Sequence, residues 1–181
     1  MNRNSLWIGA AVVICALAGC SKDPIEVAVN KNDRAAVAEA VKAGADVNEK
    51  VSGGDTPLLL AVKSGESSSA QGLIEAGADI KVQDSAGNNV LHYAARSGMT
   101  GICGLLIDRG IAVDAKGAGG ASALQFAIQG AKQETAKYLV RRGASLEQKD
   151  AAGASALDLV TRSGDTRFKS DLELAATMRT N

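Results

Sequence analysis

The sequence contains few of the residues from which enzyme active sites are usually built. Its 181 residues include one histidine, three cysteines and one tryptophan, and aromatic residues account for only 3% of the chain. This leaves little material for a metal site or a catalytic nucleophile. Basic and acidic residues are equally numerous, 20 of each, so no strong net charge favours nucleic acid or an acidic membrane surface. The composition therefore argues against an enzyme, a cofactor, a metal and a nucleic-acid partner.

The longest apolar run lies at the amino terminus. Residues 6–18 are apolar or small and follow a short segment with one positive charge, Arg3. A run of roughly 13 residues is too short to span a hydrocarbon core of ~30 Å as a permanent helix. We therefore predict a cleaved signal peptide over residues 1–19.

The end of this run, Leu17-Ala18-Gly19-Cys20, resembles the bacterial lipobox. The resemblance implies cleavage before Cys20, lipidation of Cys20 with three acyl chains, and a short tether over residues 20–22. Three chains should anchor the protein firmly, because two membrane signals already suffice. Ser21, in place of the aspartate that retains many lipoproteins in the inner membrane, favours an outer-membrane lipoprotein facing the periplasm. The alternative is a plain secretory signal in which Cys20 is incidental.

A short segment recurs along the rest of the chain every 33 residues. Residues 89–98 read NVLHYAARSG, residues 56–65 read TPLLLAVKSG, and related segments begin at residues 23, 122 and 155. A fixed period between 20 and 50 residues is typical of stacked supersecondary units. The sequence therefore predicts about five units starting near 23, 56, 89, 122 and 155, and an all-α repeat solenoid over residues 23–181.

The best-kept segments, 56–61 and 89–94, resemble the T-P-L-H-x-A motif of the ankyrin repeat family. The resemblance covers essentially all of residues 23–181. It implies units that each contain a hairpin tip and two helices joined by a tight turn. It also implies a protein–protein interaction module that is not an enzyme.

Local signals indicate where the helices begin and end. Small polar side chains precede each first helix and are expected to cap it: Asp23, Thr56, Asn89, Ser122 and Ser155. Glycines are expected to close each second helix: Gly44, Gly77, Gly110 and Gly143. The first helices end at Gly65, Gly98 and Gly164, but the fourth repeat has Ala131 there. Because alanine adopts the left-handed conformation reluctantly, we expect Gly130 to take over this cap.

Three other positions have structural interpretations. His92 occupies the motif histidine position and is expected to hydrogen-bond nearby backbone rather than to catalyse. Cys103 aligns with apolar positions of the other repeats, which predicts a buried thiol. In the last repeat Lys169 and Glu173 replace apolar residues, which predicts a terminal, capping unit.

The resemblance implies a concave binding face made by the hairpin tips and the first helices. On the tips, the candidate contacts are Ser52, Asp55, Ser85 and Asn88, and small residues continue the row: Ala118, Gly119, Ala121, Ala151, Ala152 and Ala154. At the ends of the first helices the corresponding row is Asn30, Lys63, Arg96, Gln129 and Arg162. The cations of this row either complement the helix macrodipole or receive an acidic strip on a partner. Both interpretations remain open.

These features favour a monomeric, membrane-anchored, periplasmic module that binds a protein partner of unknown identity. One variant is a scaffold, and another is an immunity or inhibitor lipoprotein that neutralises an antibacterial effector or an envelope enzyme. A role in periplasmic stress resistance and a purely structural role in the envelope are further alternatives. An enzyme or redox protein using His92 or Cys103 is the competing class.

Overall fold

A computed structural model of the protein describes residues 23–178. The chain divides into two compact units, one ending at Asp79 and one beginning at Ile80. Over the described residues it forms ten α-helices, one short 3-10 turn and no strand. Two isolated antiparallel bridges, Gln83 with Asn89 and Lys116 with Ser122, mark the bases of two hairpins. This architecture confirms the predicted all-α repeat solenoid.

The first unit contains two helix pairs. They are α1 (Pro24–Asn30) with α2 (Arg34–Lys42), and α3 (Pro57–Ser64) with α4 (Ser67–Glu75). Helix α1 packs on α3 and α2 packs on α4, so first helices stack on first helices and second helices on second helices. Val29, Val37, Leu58 and Leu73 are fully buried between them.

The second unit contains three helix pairs and the 3-10 turn Ala118–Gly120. The pairs are α5 (Val90–Ser97) with α6 (Thr100–Asp108), α7 (Ala123–Gln129) with α8 (Gln133–Arg141), and α9 (Ala156–Ser163) with α10 (Thr166–Thr177). Helices α5, α7 and α9 form one row of contacts, and α6, α8 and α10 form another. Each helix pair corresponds to one 33-residue repeat of the sequence.

A buried alanine in the middle of the first helix recurs in three repeats. Ala61, Ala94 and Ala127 have no exposed surface. A side chain this small allows helix axes to approach toward the short end of the usual 8–10 Å range. The alanine-rich composition therefore follows from thin, closely stacked layers.

Four of the five predicted caps form. The side chains of Thr56, Asn89, Ser122 and Ser155 each accept a hydrogen bond from backbone N–H groups in the first turn of the helix that follows. The prediction for Asp23 is wrong, because its side chain makes no capping bond. Asp23 is exposed, so water can solvate its carboxylate instead.

The predicted shift to Gly130 is correct for the helix end and wrong for the conformation: Gly130 is the C-cap residue of α7, but the left-handed residue is still Ala131. Ala131 itself adopts the left-handed conformation, with φ of 54°, whereas Gly130 has φ of −79°. A Cβ atom on Gly130 would overlap the carbonyl oxygen of Arg96 in the preceding repeat. Glycine is therefore required at position 130 for close packing, and Ala131 takes the left-handed turn that glycines adopt at Gly65, Gly98 and Gly164.

The last repeat has the polar outer face that the sequence predicts. Lys169 is half-buried and Glu173 is exposed. Helix α10 instead buries Phe168, Leu172 and Ala175, and it packs on α8. Leu174 and Met178 are the large apolar side chains that remain exposed, at 58% each, within residues 23–178.

A glycine notch joins the second helices of two repeats in the second unit. A Cβ atom on Gly104 of α6 would overlap the Tyr138 hydroxyl oxygen of α8. Arg142 donates one hydrogen bond to this hydroxyl, at 2.7 Å, and another to the Asp108 carboxylate. The notch and the bridging arginine together fix the spacing between α6 and α8.

We predict opposite effects for two glycine-to-alanine substitutions in helix α6. Gly101 has open space where its Cβ would lie, so Gly101→Ala should stabilise the protein by about 0.5–1 kcal/mol through helix propensity. Gly104→Ala should destabilise it by about 1 kcal/mol or more, because the Tyr138 hydroxyl must move. Urea unfolding followed by circular dichroism measures both, and equal effects would contradict the notch.

We further predict that Ala131→Gly increases stability. Glycine removes the steric cost of a left-handed alanine, about 1 kcal/mol, and keeps the backbone as it is. Gly130→Ala is the matched comparison and should be strongly destabilising, because the added methyl group meets backbone rather than a movable side chain. If unfolding experiments show no gain for Ala131→Gly, the left-handed turn at this position is not strained.

Candidate protein-binding site

A cleft of about 450 Å³ lies in the second unit. Side chains of two first helices line one side, and backbone and small side chains of the hairpin tips line the other. The helix residues are Tyr93, Arg96, Phe126 and Gln129. The tip residues are Asn88, Ala118, Gly119, Ala121, Asp150, Ala151 and Ala152. The cleft thus lies between the first helices of two successive repeats and the hairpin tips of three.

The aromatic side of the cleft comes from one repeated helix position. Tyr93 of α5 is half-buried and Phe126 of α7 is 7% exposed, and both line the cleft. The Tyr93 hydroxyl donates a short hydrogen bond to the Asp84 carboxylate. Burial alone would raise the pKa of Asp84, but hydrogen bonds from Tyr93, Asn88 and Ala86 lower it below its ordinary value. Asp84 therefore stays ionised and holds the tyrosine in place.

Hydrogen bonds between neighbouring hairpins form the opposite wall. The Asn88 side-chain oxygen accepts from the Ala118 N–H at 2.8 Å. The next hairpin continues the pattern, since the Gly119 carbonyl accepts from the Ala151 N–H at 2.6 Å. The wall is therefore preorganised, which reduces the entropy lost when a ligand binds.

His92 holds the hairpin at residues 112–121, which forms part of this wall, through its contact with the Ala115 carbonyl. Its side chain has no exposed surface. Nδ1 accepts a hydrogen bond from the Asn89 N–H at 3.1 Å, and Nε2 lies 3.0 Å from the Ala115 carbonyl oxygen. The ring also packs edge-on against Phe126, with 5.1 Å between centroids. The predicted hydrogen bonding of His92 to nearby backbone is confirmed.

Gln125 makes the corresponding pair of bonds one repeat later. Its side-chain oxygen accepts from the Ser122 N–H at 2.8 Å, and its amide nitrogen donates to the Ala154 carbonyl at 2.7 Å. A neutral amide can thus replace the imidazole at this position. This equivalence shows that the position serves the stacking of repeats.

Arg96 is the exposed cation on the helix side of the cleft. Among the described residues, 23–178, its guanidinium makes no salt bridge. Its backbone is fixed, because Gly130 packs against the Arg96 carbonyl. Gln129, also exposed, lines the same cleft from the next repeat. Arg96 and Gln129 are the two predicted contacts from the first-helix row that the structure brings together.

The other predicted contacts lie elsewhere or are already engaged. In the first unit, Lys63 binds both oxygens of Asp55, at 2.8 and 2.9 Å, and the Ser52 hydroxyl donates to Glu26 at 2.6 Å. In the second unit, Ser85 and Arg162 are exposed and do not line the cleft.

Two sequence expectations about these contacts need correction. Lys63 is not an open cation of a uniform row, because the carboxylate of Asp55 compensates its charge. Asn88 is not an exposed tip residue, because it is 6% exposed and its side chain bonds Ala118 and Asp84. Both differences depend on contacts between residues that no repeat motif specifies.

The cleft residues missed from the sequence are Tyr93, Phe126 and Asp150. Tyr93 and Phe126 align with apolar core positions, and Leu60 and Leu159, at the same position in neighbouring repeats, are half-buried. The sequence did offer a signal for these two residues, because this position is aromatic in two repeats and aliphatic in the others. Asp150 gave no signal, and its carboxylate accepts from the Ala152 and Ala154 N–H groups of its own hairpin.

Cys103, the free cysteine among the described residues, does not have the properties of a nucleophile. Cys103 is fully buried, and burial raises the pKa of its thiol to about 12. A nucleophilic cysteine requires an accessible thiolate. The prediction that Cys103 is a core residue is confirmed.

The predicted lipidation site, Cys20, and the signal peptide lie outside the described residues. Within residues 23–178, no helix combines the length and the apolar character needed to cross a bilayer.

Comparison with known families supports the repeat assignment. Residues 68–150 match the family model described as ankyrin repeats, in three copies. No match to a curated protein was found. Ankyrin repeats indicate a protein–protein interaction module, and proteins built from them are generally not enzymes. Residues 68–150 are therefore similar to ankyrin repeats, and the helix pairs outside this range have the same helix–turn–helix arrangement.

Proposed function

We propose that this protein is a lipid-anchored module of the cell envelope that binds a protein partner in the cleft of its second unit. The observation that carries this proposal is the exposed guanidinium of Arg96, which has no ion pair within the described residues and borders a preformed cleft. Arginine and tyrosine are among the residues that dominate binding energy at protein interfaces, and Arg96 and Tyr93 both line this cleft.

The chemistry of the cleft favours an acidic group flanked by apolar surface. A partner carboxylate can accept two parallel hydrogen bonds from the Arg96 guanidinium, while the Gln129 amide lies in the same lining. Tyr93, which is half-buried, offers apolar surface beside these polar groups, and Phe126, at 7% exposure, adds little. The alanines and glycine of the tips leave room for a partner's backbone to approach. Asp150 is the acidic residue of the lining, and its own hairpin already engages its carboxylate.

Of the cations at the ends of the first helices, Arg96 is therefore the one that lines the cleft of the second unit. Lys63 is compensated by Asp55 in the first unit, and Arg162 lies outside the cleft lining. A partner with one well-placed acidic side chain fits this arrangement better than a partner with a long acidic strip.

The anchor part of the proposal rests on the Leu-Ala-Gly-Cys segment ending at Cys20. Lipidation there would leave only Ser21 and Lys22 between Cys20 and Asp23, the residue before α1, at most ~3.5 Å of reach per residue. The first repeat would then stay close to the membrane, and the partner would be an envelope or periplasmic protein. Ser21 favours the outer membrane.

Two roles for such a module differ in whether the bound partner stays active. A scaffold holds its partner in an active complex, whereas an immunity or inhibitor lipoprotein blocks an antibacterial effector or an envelope enzyme. A role in stress resistance is a third possibility. Adding the purified protein to its captured partner distinguishes them, because only the inhibitor lowers the partner's activity.

We predict that Arg96→Glu weakens partner binding at least tenfold, corresponding to about 1.4 kcal/mol, because reversing this charge repels a partner carboxylate. The measurement is capture from detergent-solubilised envelope by the full-length protein, followed by titration of the captured protein. Arg167→Glu is the matched control, since Arg167 is an exposed cation on α10 outside the cleft.

Equal binding by Arg96→Glu, Arg167→Glu and the wild type would exclude the cleft as the binding site. Lys63→Glu should affect binding much less than Arg96→Glu, because Lys63 is already paired with Asp55. Binding through Arg96 should also weaken as salt is raised, since exposed charges are screened over about 8–10 Å.

We also predict that Cys20→Ala abolishes membrane anchoring, whereas Cys15→Ala preserves it. Cys15 lies within the apolar run and Cys20 at its end, so the pair separates loss of a thiol from loss of the lipidation site. Partition between detergent and aqueous phases, with intact mass, measures the acyl chains. A wild-type protein without acyl mass would support the plain secretory signal.

A further inference from the structure

The two ring nitrogens of His92 form hydrogen bonds with opposite roles. Nδ1 accepts from the Asn89 N–H, which fixes it as unprotonated. Nε2 therefore carries the proton and donates it to the Ala115 carbonyl. The first bond completes the cap of α5, and the second reaches the hairpin of the next repeat. One neutral imidazole thus ties helix α5 to the hairpin at residues 112–121.

We propose that His92 is a pH-sensitive latch that holds the 112–121 hairpin on α5 and releases it when the imidazole takes up a proton in mildly acidic medium. This hairpin supplies Ala118, Gly119 and Ala121 to the wall of the cleft. The latch is a property of the fold, whereas its effect on partner binding rests on the proposed function.

The site offers no place for a second imidazole proton. A proton on Nδ1 would point at the Asn89 N–H, which is itself a donor. The ring cannot easily shift, because it has no exposed surface and packs edge-on against Phe126. The backbone of Gly117 also packs tightly against the ring, since a Cβ atom on Gly117 would lie 2.9 Å from Nε2. Protonation therefore requires the surrounding contacts to open.

The groups around the ring favour the neutral form on balance. Burial lowers the pKa of His92, while backbone hydrogen bonds at Ala115 and Ala121 and the charge of Asp84 partly oppose this. Asp84, on the hairpin before α5, is the charged group acting on the ring. The hairpin at 112–121 contributes backbone groups, and α7 contributes the uncharged Phe126 ring.

The direction of the pH effect follows from these contacts. Above about pH 6.5, the ordinary pKa of histidine, the imidazole is neutral whether the latch is closed or open. Below that pH the open form binds a proton and the closed form does not. Opening then becomes up to about tenfold more favourable for each pH unit, until the lowered pKa of the closed form is reached.

The chain supplies its own non-titrating comparison. Gln125 makes the same type of paired bonds in the next repeat with a neutral amide. The substitution His92→Gln copies that solution into α5. Because His92 is the only histidine, this change removes the one side chain that ordinarily titrates between pH 5 and 8.

The experiment is backbone amide exchange in the full-length chain, in detergent, at pH 7.5 and pH 5.5. Exchange of the hairpin at 112–121 is compared between wild type and His92→Gln at the same pH, so intrinsic exchange rates cancel. We expect the wild-type hairpin to exchange roughly tenfold faster relative to the variant at pH 5.5 than at pH 7.5. The hairpin at residues 150–154, which is held by Gln125, should show no such change.

An unchanged ratio at the two pH values would overturn the latch. A second measurement needs no variant: the midpoint of the His92 ring signal in an NMR titration of the wild type. A midpoint below 6.5 supports the latch, and a midpoint at or above 6.5 overturns it. Partner capture by Arg96→Glu tests the cleft separately, so the latch and the proposed function can fail independently.

Discussion

The stacking in the second unit depends on a polar side chain in the first turn of a first helix that bonds backbone on two sides. His92 and Gln125 each receive the N–H of their own helix cap and reach a carbonyl in the hairpin of the next repeat. These groups are buried, where an unpaired polar atom costs about 1–3 kcal/mol. The hairpins are therefore held at a fixed distance from the helices. The cleft is the space that this distance leaves open.

Contacts between second helices support the same stacking from the other side of each layer. In the second unit Tyr138 fills the notch at Gly104, and Arg142 joins it to Asp108. In the first unit Asn32 caps the second helix of the following repeat by accepting from the Ser68 and Ser69 N–H groups. Neighbouring repeats thus share their capping and packing groups, so a change in one repeat alters the stability of the next.

The candidate binding site lies where Arg96 has no salt bridge with another of the described residues. Lys63 and Arg96 occupy the same position in adjacent repeats, yet Lys63 has Asp55 as its ion-pair partner. The residue corresponding to Asp55 in the next repeat is Asn88, which is neutral and bonds Ala118 instead. Arg96 is consequently exposed in the cleft, beside Tyr93 and opposite the hydrogen-bonded hairpins. Two repeats with nearly the same backbone therefore present different surfaces to a partner.

The sequence by itself determined the features that depend on local interactions. The 33-residue period, the capping side chains at Thr56, Asn89, Ser122 and Ser155, and the buried positions of His92 and Cys103 could all be predicted, because each follows from a repeating local pattern. Tertiary structure alone decided the left-handed Ala131, the pairing of Lys63 with Asp55 and the burial of Asn88. Ala131 and Asn88 depend on which residues meet across repeats: the Arg96 carbonyl excludes any side chain larger than glycine at position 130, and the Asn88 side chain bonds Ala118 of the next hairpin. The ion pair depends on how the hairpin that holds Asp55 packs against the helix that follows it. A periodic motif specifies each layer, whereas the cleft is defined by the differences between layers.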